Sequence, residues 1–404
     1  MEPHLEELRA AFAERYGSAD GGYLVQAPGR VNLMGDHIDY SGLSVLPMAL
    51  QRHVSVLYRE RDDAAVRIAT TEKGYAERGF KLARTIKPYK SGDWGNYAKA
   101  AAQGLVGRFD IRRGFDAVVR SDIPVAAGLS SSSALVVAFA LALLHANDHE
   151  EVERLELAEM LAEAEHYVGT RGGGMDQAIC LAARRGSASR IDFNPLRLTA
   201  HPIAPEWDFI IAFSLVRAQK SAGARKTYNA RTHECRDALN TVTKALDVAE
   251  EVDSYPALIR RRPVRELFRV AEQALDQALM RRFRHVVTEA TRVRKAVEAL
   301  AAYDLRGFGR LMKASHASLR DDFEVSSPEL DELVDLATRA GAAGARLTGA
   351  GLGGCVVALC SRERTDKVLA RLKNRFYDCR EYEGPLEDQL FVAAPSGGAT
   401  VRPV

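Results

Sequence analysis

Hydrophobic and polar residues alternate along several short segments of the chain, which is the pattern of half-buried strands. The first such segment, YLVQAPGRVNLM, contains the turn pair Pro28-Gly29, which is expected to interrupt the strand. Alternating and short apolar segments together predict strands near residues 23–34, 53–60, 64–70, 115–124, 187–193, 209–215, 344–348, 355–360, 378–384 and 389–394.

Longer segments repeat their apolar residues at the helical period. They predict helices at about 4–15, 95–109, 134–146, 154–168, 328–341 and 363–376, and several more within 222–320. The longest apolar run, residues 134–146, suits a buried helix and is too short to span a bilayer. Because long Arg- and Ala-rich stretches begin after residue 204, we expect two domains, 1–204 and 205–404.

Composition narrows the function classes. The chain has 404 residues, enough for two or three domains, with a net charge of +2, so no nucleic-acid or membrane partner is expected. Five widely spaced cysteines without a C-x-x-C pair are typical of reduced, mostly buried thiols. The first seventeen residues are acidic and amphipathic and lack the apolar core of a signal peptide. A soluble, cytoplasmic enzyme or binding protein is therefore expected.

The segment SDIPVAAGLSSSSALVVAFA, residues 121–140, has the chemistry of an anion site. Serine is a good N-cap and a poor interior helix residue, so Ser130–Ser133 should lie around the first turn of a helix. Unpaired N–H groups and partial positive charge at a helix N-terminus attract anions, and Ala126, Ala127 and Gly128 allow close approach. Phosphate binding is therefore favoured over simple capping. The chain has no Gly-Lys dipeptide, which excludes a Walker A loop.

Three further segments leave alternatives open. RLTGAGLGGCVVALC, residues 346–360, matches G-x-G-x-x-G, but an apolar strand rather than a helix follows, so a dinucleotide site is excluded. It is either a strand-to-strand turn or a loop that closes over an active site. In AEHYVGTRGGGMDQ, residues 164–177, Asp176 is either a turn residue or a catalytic one. The 35–42 turn, GDHIDYSG, could be a metal site, an acid/base pair or a polar turn.

Several of these motifs, in this order, resemble the galactokinase branch of the GHMP small-molecule kinase superfamily. The resemblance is carried by APGRVNLMGDHIDYSGLSVLPMA, GLSSS, MDQ, SLRDDFEVSSPELDELV and RLTGAGLGGC. It implies an α+β fold, with an N-terminal domain like domain 2 of ribosomal protein S5 and a C-terminal ferredoxin-like domain with helical additions. It also implies an active site between the domains, where the γ-phosphate of ATP passes to the anomeric hydroxyl of a galactose-type sugar.

The resemblance also assigns roles to residues of this sequence. Asp176 matches the catalytic aspartate, and Arg30 matches the arginine that balances its charge and that of the transferred phosphoryl group. Ser132 and Glu165 match the ligands of Mg²⁺, which suits oxygen donors completed by ATP phosphates and water. The ATP site would comprise Trp94 beside adenine and Gly128, Leu129, Ser130, Ser131, Ser132 and Ser133 around the phosphates. The sugar site would comprise Asp36, His37, Asp39, Gly173 and Tyr228.

Departures from the family pattern bear on the substrate. Asp36 stands where the family has glutamate, and HIDYSGLSVLPMA and GLSSSSAL look closer to N-acetylgalactosamine kinases, whereas Tyr228 is typical of galactokinases. We expect galactose, with N-acetylgalactosamine and then L-arabinose as alternatives. A non-catalytic sugar sensor is disfavoured by the full-length serine loop, and a non-sugar alcohol by His37 and Asp39. A monomer or weak homodimer is expected.

Overall fold

The computed structural model describes residues 3–124, 127–169, 172–217 and 222–404. Within these ranges the strands form a six-stranded sheet, a four-stranded sheet and a two-stranded hairpin. The strands are β1 (Tyr23–Met34), β2 (Leu46–Glu60), β3 (Ala65–Thr70), β4 (Arg78–Lys81), β5 (Phe115–Ser121), β6 (Ser187–Asp192), β7 (Arg197–Pro202), β8 (Trp207–Phe213), β9 (Gly344–Thr348), β10 (Cys355–Ser361), β11 (Leu390–Ala393) and β12 (Thr400–Pro403).

Helices cover both large sheets and form a separate group between them in sequence. They are α1 (Pro3–Tyr16), α2 (Gly95–Val106), α3 (Ser131–Ala146), α4 (Arg154–Ala164), α5 (Met175–Ala182), α6 (Ala222–Ala245), α7 (Tyr255–Arg261), α8 (Val264–Ala274), α9 (Gln277–Ala301), α10 (Leu305–Asp321), α11 (Pro328–Ala340), α12 (Arg362–Leu372) and α13 (Leu386–Gln389).

The first sheet has the order β12-β1-β2-β5-β3-β4, and only β3 and β5 run parallel. Helix α3 packs against β1 and β2 and against α2 and α5. Its residues 133–144 are almost all buried, as expected for a helix that is apolar all round. This central position fixes the N-terminus of α3, and with it the serine cluster, at one end of the sheet.

The second sheet has the antiparallel order β11-β8-β10-β9. Helices α10, α11 and α12 pack on it, and α6, α8 and α9 pack together as a helical addition. Mixed helix and sheet in two sheet-centred halves is the α+β architecture expected from the sequence. Strand β12 pairs with β1, so residues 400–403 lie in the first sheet although the division at residue 204 assigns them to the second half. That division remains a prediction.

Most predicted elements are confirmed to within a few residues, and two expectations are wrong. Strand β1 continues through Pro28-Gly29 with a bulge, because the shifted register lets both flanking segments stay paired with β2. Residues 378–384 form no strand, since the chain turns there with bonds from the Asp378 N–H to the Lys373 carbonyl and from the Arg380 N–H to the Tyr377 carbonyl. The short helices α5 and α13 and the strands β4, β7 and β12 were not predicted.

Two expectations from composition can be compared with the fold. Each of the five cysteines is a free thiol, four of them buried and Cys379 exposed, which confirms mostly buried thiols. No helix in the described ranges is both long enough and apolar enough to cross a bilayer.

Candidate active site

A cavity of about 450 Å³ lies where the first sheet meets the loops of the second half. Such a volume suits a small-molecule site. Every residue to which the resemblance assigns a role lines this cavity. They are Arg30, Asp36, His37, Asp39, Trp94, Gly128, Leu129, Ser130, Ser131, Ser132, Ser133, Glu165, Gly173, Asp176 and Tyr228. The structure thus brings together segments that are up to about two hundred residues apart in the sequence, while their individual roles stay predictions.

The serine cluster begins helix α3 as predicted. Ser130 is the N-cap residue and adopts a left-handed conformation, with φ of 60°. Its side chain does not cap the helix, because the hydroxyl instead donates a hydrogen bond to Asp176. The first turn, Ser131–Ser133, therefore faces the cavity with the partial positive charge of a helix N-terminus, which favours a phosphate. Residues 125–126 of the preceding loop, including Ala126, lie outside the described residues.

Asp176 and Arg30 form a two-pronged ion pair at the cavity wall. Arg30 Nε lies 2.8 Å from Asp176 Oδ1, and Arg30 Nη2 lies 3.2 Å from Oδ2. Asp176 sits in the first turn of α5, where the positive end of the helix dipole also favours a carboxylate. The arginine is almost fully buried, whereas a quarter of the Asp176 side chain remains exposed. The carboxylate is thus fixed in orientation and still open to a substrate.

The bulge in β1 ties this pair to the phosphate loop. A side chain at Gly29 would bring its Cβ within 2.9 Å of the Leu129 carbonyl, so only glycine permits this approach. The Arg30 N–H donates to the Leu129 carbonyl at 3.1 Å, and Arg30 Nη1 donates to the Gly128 carbonyl at 2.6 Å. One arginine therefore sets the distance between the loop and Asp176.

Asp39 and Gly173 connect the 35–42 turn with the segment before α5. The Gly173 N–H donates to Asp39 Oδ2 at 3.0 Å, and a Cβ on Gly173 would lie only 2.5 Å from the Asp39 carbonyl carbon. Burial, together with the nearby charge of Asp176, raises the pKa of the Asp39 carboxyl to about 6. Residues 170–171 of the same glycine-rich segment lie outside the described residues.

His37 lines the cavity with both ring nitrogens engaged by the protein. Burial lowers its pKa to about 4, so the ring is neutral at pH 7. Nε2 lies 3.1 Å from the Ala350 carbonyl and must carry the proton, which leaves Nδ1 to accept from the Tyr40 hydroxyl at 3.2 Å. The ring also packs against Phe323 and Tyr228. His37 therefore joins the 35–42 turn to the glycine-rich loop 349–354.

Asp36 is the most enclosed polar residue of the set. Its carboxylate accepts hydrogen bonds from Asn32 Nδ2 at 3.0 Å and from the Gly349 N–H at 3.2 Å. It also pairs at 2.5 Å with Arg346 of β9, which is fully buried. Three protein donors leave little of its acceptor capacity for a ligand. Sequence reasoning missed Arg346, for which the available signal was a charged residue inside the buried strand GARLT.

Trp94 and Tyr75 form an aromatic part of the cavity lining. The Trp94 Nε1–H donates to the Ala76 carbonyl at 2.9 Å, and its ring meets the exposed Tyr75 edge to face. Trp94 is half-buried at the start of α2, so it is a rim residue rather than part of the interior. Tyr75, which also lines the cavity, was missed by the sequence analysis because it lies in a polar loop without a repeating pattern.

The donor set near α3 fits magnesium in part. Ser132, in the first turn of α3, and the buried Glu165 line the same cavity, and both offer oxygen ligands. In the described ranges there is no group of three or more His, Cys, Asp or Glu residues that could hold a metal ion alone. Magnesium is usually held by one or two carboxylates together with substrate phosphates, which matches this sparse set.

Comparison with known proteins places this site in a family. The chain matches models described as the GHMP kinases N terminal domain over residues 96–184 and the GHMP kinases C terminal domain over 296–378. A galactokinase galactose-binding signature matches residues 10–60. The galactokinase of Chloroflexus aurantiacus is 38% identical over 371 residues, covering 91% of each chain. The chain belongs to the galactokinase family.

Further relatives agree with this membership. The galactokinase of Bacillus subtilis is 33% identical over 390 residues, which cover 92% of this chain and 94% of that one. The crystal structure of Lactococcus lactis galactokinase complexed with galactose matches with a TM-score of 0.87 at 30% identity. The match covers 98% of this chain. A mevalonate kinase structure with a TM-score of 0.62 at 20% identity shares the fold alone. The predicted two-domain GHMP kinase fold is thus confirmed.

Proposed function

We propose that this member of the galactokinase family transfers the γ-phosphate of ATP to the anomeric 1-hydroxyl of galactose, giving galactose 1-phosphate and ADP. The observation that carries the proposal is the placement of Asp176. Its carboxylate is held by Arg30 and Ser130 between the N-terminus of α3 and the 35–42 turn, within one cavity. This joins an anion site, a fixed carboxylate and a polar turn that can read hydroxyl groups.

In the proposed reaction, Asp176 orients the sugar 1-hydroxyl and accepts its proton. The new O–P bond forms as the bond between the γ-phosphorus and the bridging oxygen breaks, and that oxygen leaves as part of ADP. Arg30 offsets the charge of Asp176 and of the phosphoryl group in transit. The first-turn N–H groups of α3 face the phosphates of ATP. Phosphoryl transfer depends mostly on such positioning and electrostatic stabilisation, so a rigid Arg30–Asp176 pair suits this step.

The sugar is proposed to lie between the 35–42 turn and α6. Asp39 accepts hydrogen bonds from sugar hydroxyls, and the backbone around Gly173 and the Tyr228 side chain complete the wall. A site built around particular hydroxyls rejects sugars that lack them, because buried polar groups are then left without partners. Asp36 and His37, whose polar atoms are mostly taken by the protein, shape this site and leave few positions for direct contacts.

ATP is proposed to bind with adenine near Trp94 and its phosphates at residues 128–133. Bound Mg²⁺ would neutralise phosphate charge, with Ser132 and Glu165 as its protein ligands. We further propose that the chain acts in the cytoplasm. It is proposed to be a monomer or weak homodimer, and light scattering across a concentration series would test this oligomeric state.

A sugar panel tests the proposal. ADP release is measured with saturating MgATP and galactose, N-acetylgalactosamine, galactosamine or L-arabinose, and kcat/KM is compared. The highest value is expected for galactose, and Asp176→Asn should lose turnover while retaining galactose binding by calorimetry. A higher value for N-acetylgalactosamine would replace the substrate. Binding of ATP and galactose without ADP release by the wild type would indicate a non-catalytic sensor.

A further inference from the structure

Helix α9 carries two buried polar residues that the proposed reaction does not use. His285 and Glu289 are fully buried and one helical turn apart, so both project from the same face. Their neighbours Val286, Val287 and Val293 are also buried. Polar groups at such positions are expensive unless they have specific partners. The partners of both residues lie in the 35–42 turn, about 250 residues away in the sequence.

Glu289 binds the first peptide N–H of the turn. Its Oε1 accepts from the Gly35 N–H at 2.9 Å and from the Ser315 hydroxyl at 2.7 Å, and its Oε2 lies 2.5 Å from Arg292 Nε. Burial alone would raise the pKa of this carboxyl, but Arg292, His285 and Arg346 together lower it to about 2. The hydrogen bond to the Gly35 N–H is therefore made by an ionised group, which strengthens it.

His285 binds the carbonyl of the next residue, Asp36. Its Nε2 lies 3.1 Å from the Asp36 carbonyl oxygen, and Nδ1 lies 3.0 Å from the Ser318 hydroxyl. Burial lowers the pKa of the ring to about 3, so it is neutral at pH 7. Because a carbonyl can only accept, the single ring proton must be on Nε2. The ring also packs on Phe323, which in turn packs on His37.

The close approach of α9 depends on glycine at position 35. Gly35 has φ of +98°, and a Cβ there would lie 2.9 Å from Val293 Cγ2 and 3.0 Å from the Val45 backbone. The Gly35–Asp36 segment is thus held at its N–H by Glu289 and at its carbonyl by His285, while Arg346 holds the Asp36 side chain. With these three anchors, the Gly35–Asp36 segment has little freedom to shift.

We propose that His285 and Glu289 are positioning residues, which fix the 35–42 turn from helix α9 and so set the places of His37 and Asp39 in the sugar site. This inference rests on the proposed function for its link to sugar binding. Neither residue touches the cavity in the described ranges, so each acts through the backbone of the turn.

Two variants and a matched control test this role. Glu289→Gln keeps the shape and one acceptor but removes the charge, and His285→Phe keeps the ring beside Phe323 but removes the donor. Glu298→Gln is the control, because Glu298 pairs with Arg294 on the exposed face of the same helix. We expect the galactose KM to rise about tenfold in both test variants. Glu289→Gln weakens a buried hydrogen bond made by a charged group, and His285→Phe removes one made by a neutral group. The ATP KM should stay within about twofold.

Hydrogen exchange of the ligand-free protein gives a second readout that does not depend on the reaction. Backbone amides of residues 34–39 should exchange faster in Glu289→Gln and His285→Phe than in wild type. Their exchange rates should be unchanged in Glu298→Gln. Either test variant alone suffices if the other does not fold. An unchanged galactose KM, an equal rise for both substrates, or unchanged exchange would overturn the positioning role. Wild type without galactose-dependent ADP release would refute the proposed function, and exchange would still decide the positioning role.

Discussion

Asp39 offers a test in which the electrostatics of the site and the stability of the fold oppose each other. Its half-buried carboxylate accepts the Gly173 N–H and lies close enough to Asp176 to be affected by its charge. Asparagine at this position keeps an oxygen for Gly173 but removes the charge that burial disfavours. We therefore expect Asp39→Asn to unfold less readily than wild type at neutral pH, although it binds galactose more weakly.

The expected gain depends on pH in a defined way. Burial raises the pKa of Asp39 from 3.8 to about 6, so the folded chain keeps this proton to higher pH than the unfolded chain does. The stabilisation present at low pH is thus lost as the pH rises from about 4 to about 6. At about 1.36 kcal/mol per unit of pKa, the loss is about 3 kcal/mol. Since Asp39 is only half-buried, solvent screens part of this effect, and we expect about 2 kcal/mol of the change to be observed.

Urea unfolding of wild type and Asp39→Asn without ligand, at several values from about pH 4 to about pH 7.5, measures this difference. The advantage of the variant in free energy of unfolding should grow between about pH 4 and pH 6 and then level off. Asp62→Asn, at an exposed position, serves as the control and should show no such growth. Parallel curves for wild type and Asp39→Asn would show that Asp39 is not penalised in the folded state.

Three other substitutions separate the parts of the site. Asp36→Asn leaves the buried Arg346 without its charged partner and should lower the free energy of unfolding by about 3–5 kcal/mol, measured by urea titration; a change below about 1 kcal/mol would contradict the pairing. Ser132→Ala should raise the Mg²⁺ concentration that gives half-maximal rate about tenfold, while the galactose KM stays unchanged. An unaltered Mg²⁺ requirement would remove Ser132 from the proposed ligands. Trp94→Ala should raise the ATP KM about tenfold, as expected for a lost base–aromatic contact; a selective effect on galactose instead would place adenine elsewhere.

The serine cluster shows what the sequence could predict. Side-chain propensity placed Ser130–Ser133 at the start of a helix, and α3 begins at Ser131. The same reasoning did not foresee that the Ser130 hydroxyl turns away from the helix to Asp176, forty-six residues further on. Local preferences determine where an element starts, whereas the partner of a side chain depends on which segments the fold brings together.

Missed elements and missed contacts have different causes. Helix α5 has eight residues and follows a glycine-rich segment, so too little of the helical period is present to detect it. The apolar pattern of GARLT predicted a strand, but it could not show that its arginine pairs with Asp36 across 310 residues. His285 and Glu289 interrupt the apolar face of α9, and such interruptions are the signal that a buried polar partner exists.

The pairing of β12 with β1 has a consequence for biosynthesis. Strand β1 begins at Tyr23, and its outer neighbour is supplied by residues 400–403, so these partners leave the ribosome at very different times. The Gly398 and Ala399 N–H groups also bond to carbonyls at the end of α5, the helix that carries Asp176. The six-stranded sheet therefore cannot be completed before residues 400–403 have been synthesised. Assembly of the active site should therefore be a late event in synthesis, and until then the edge of β1 needs protection from other chains.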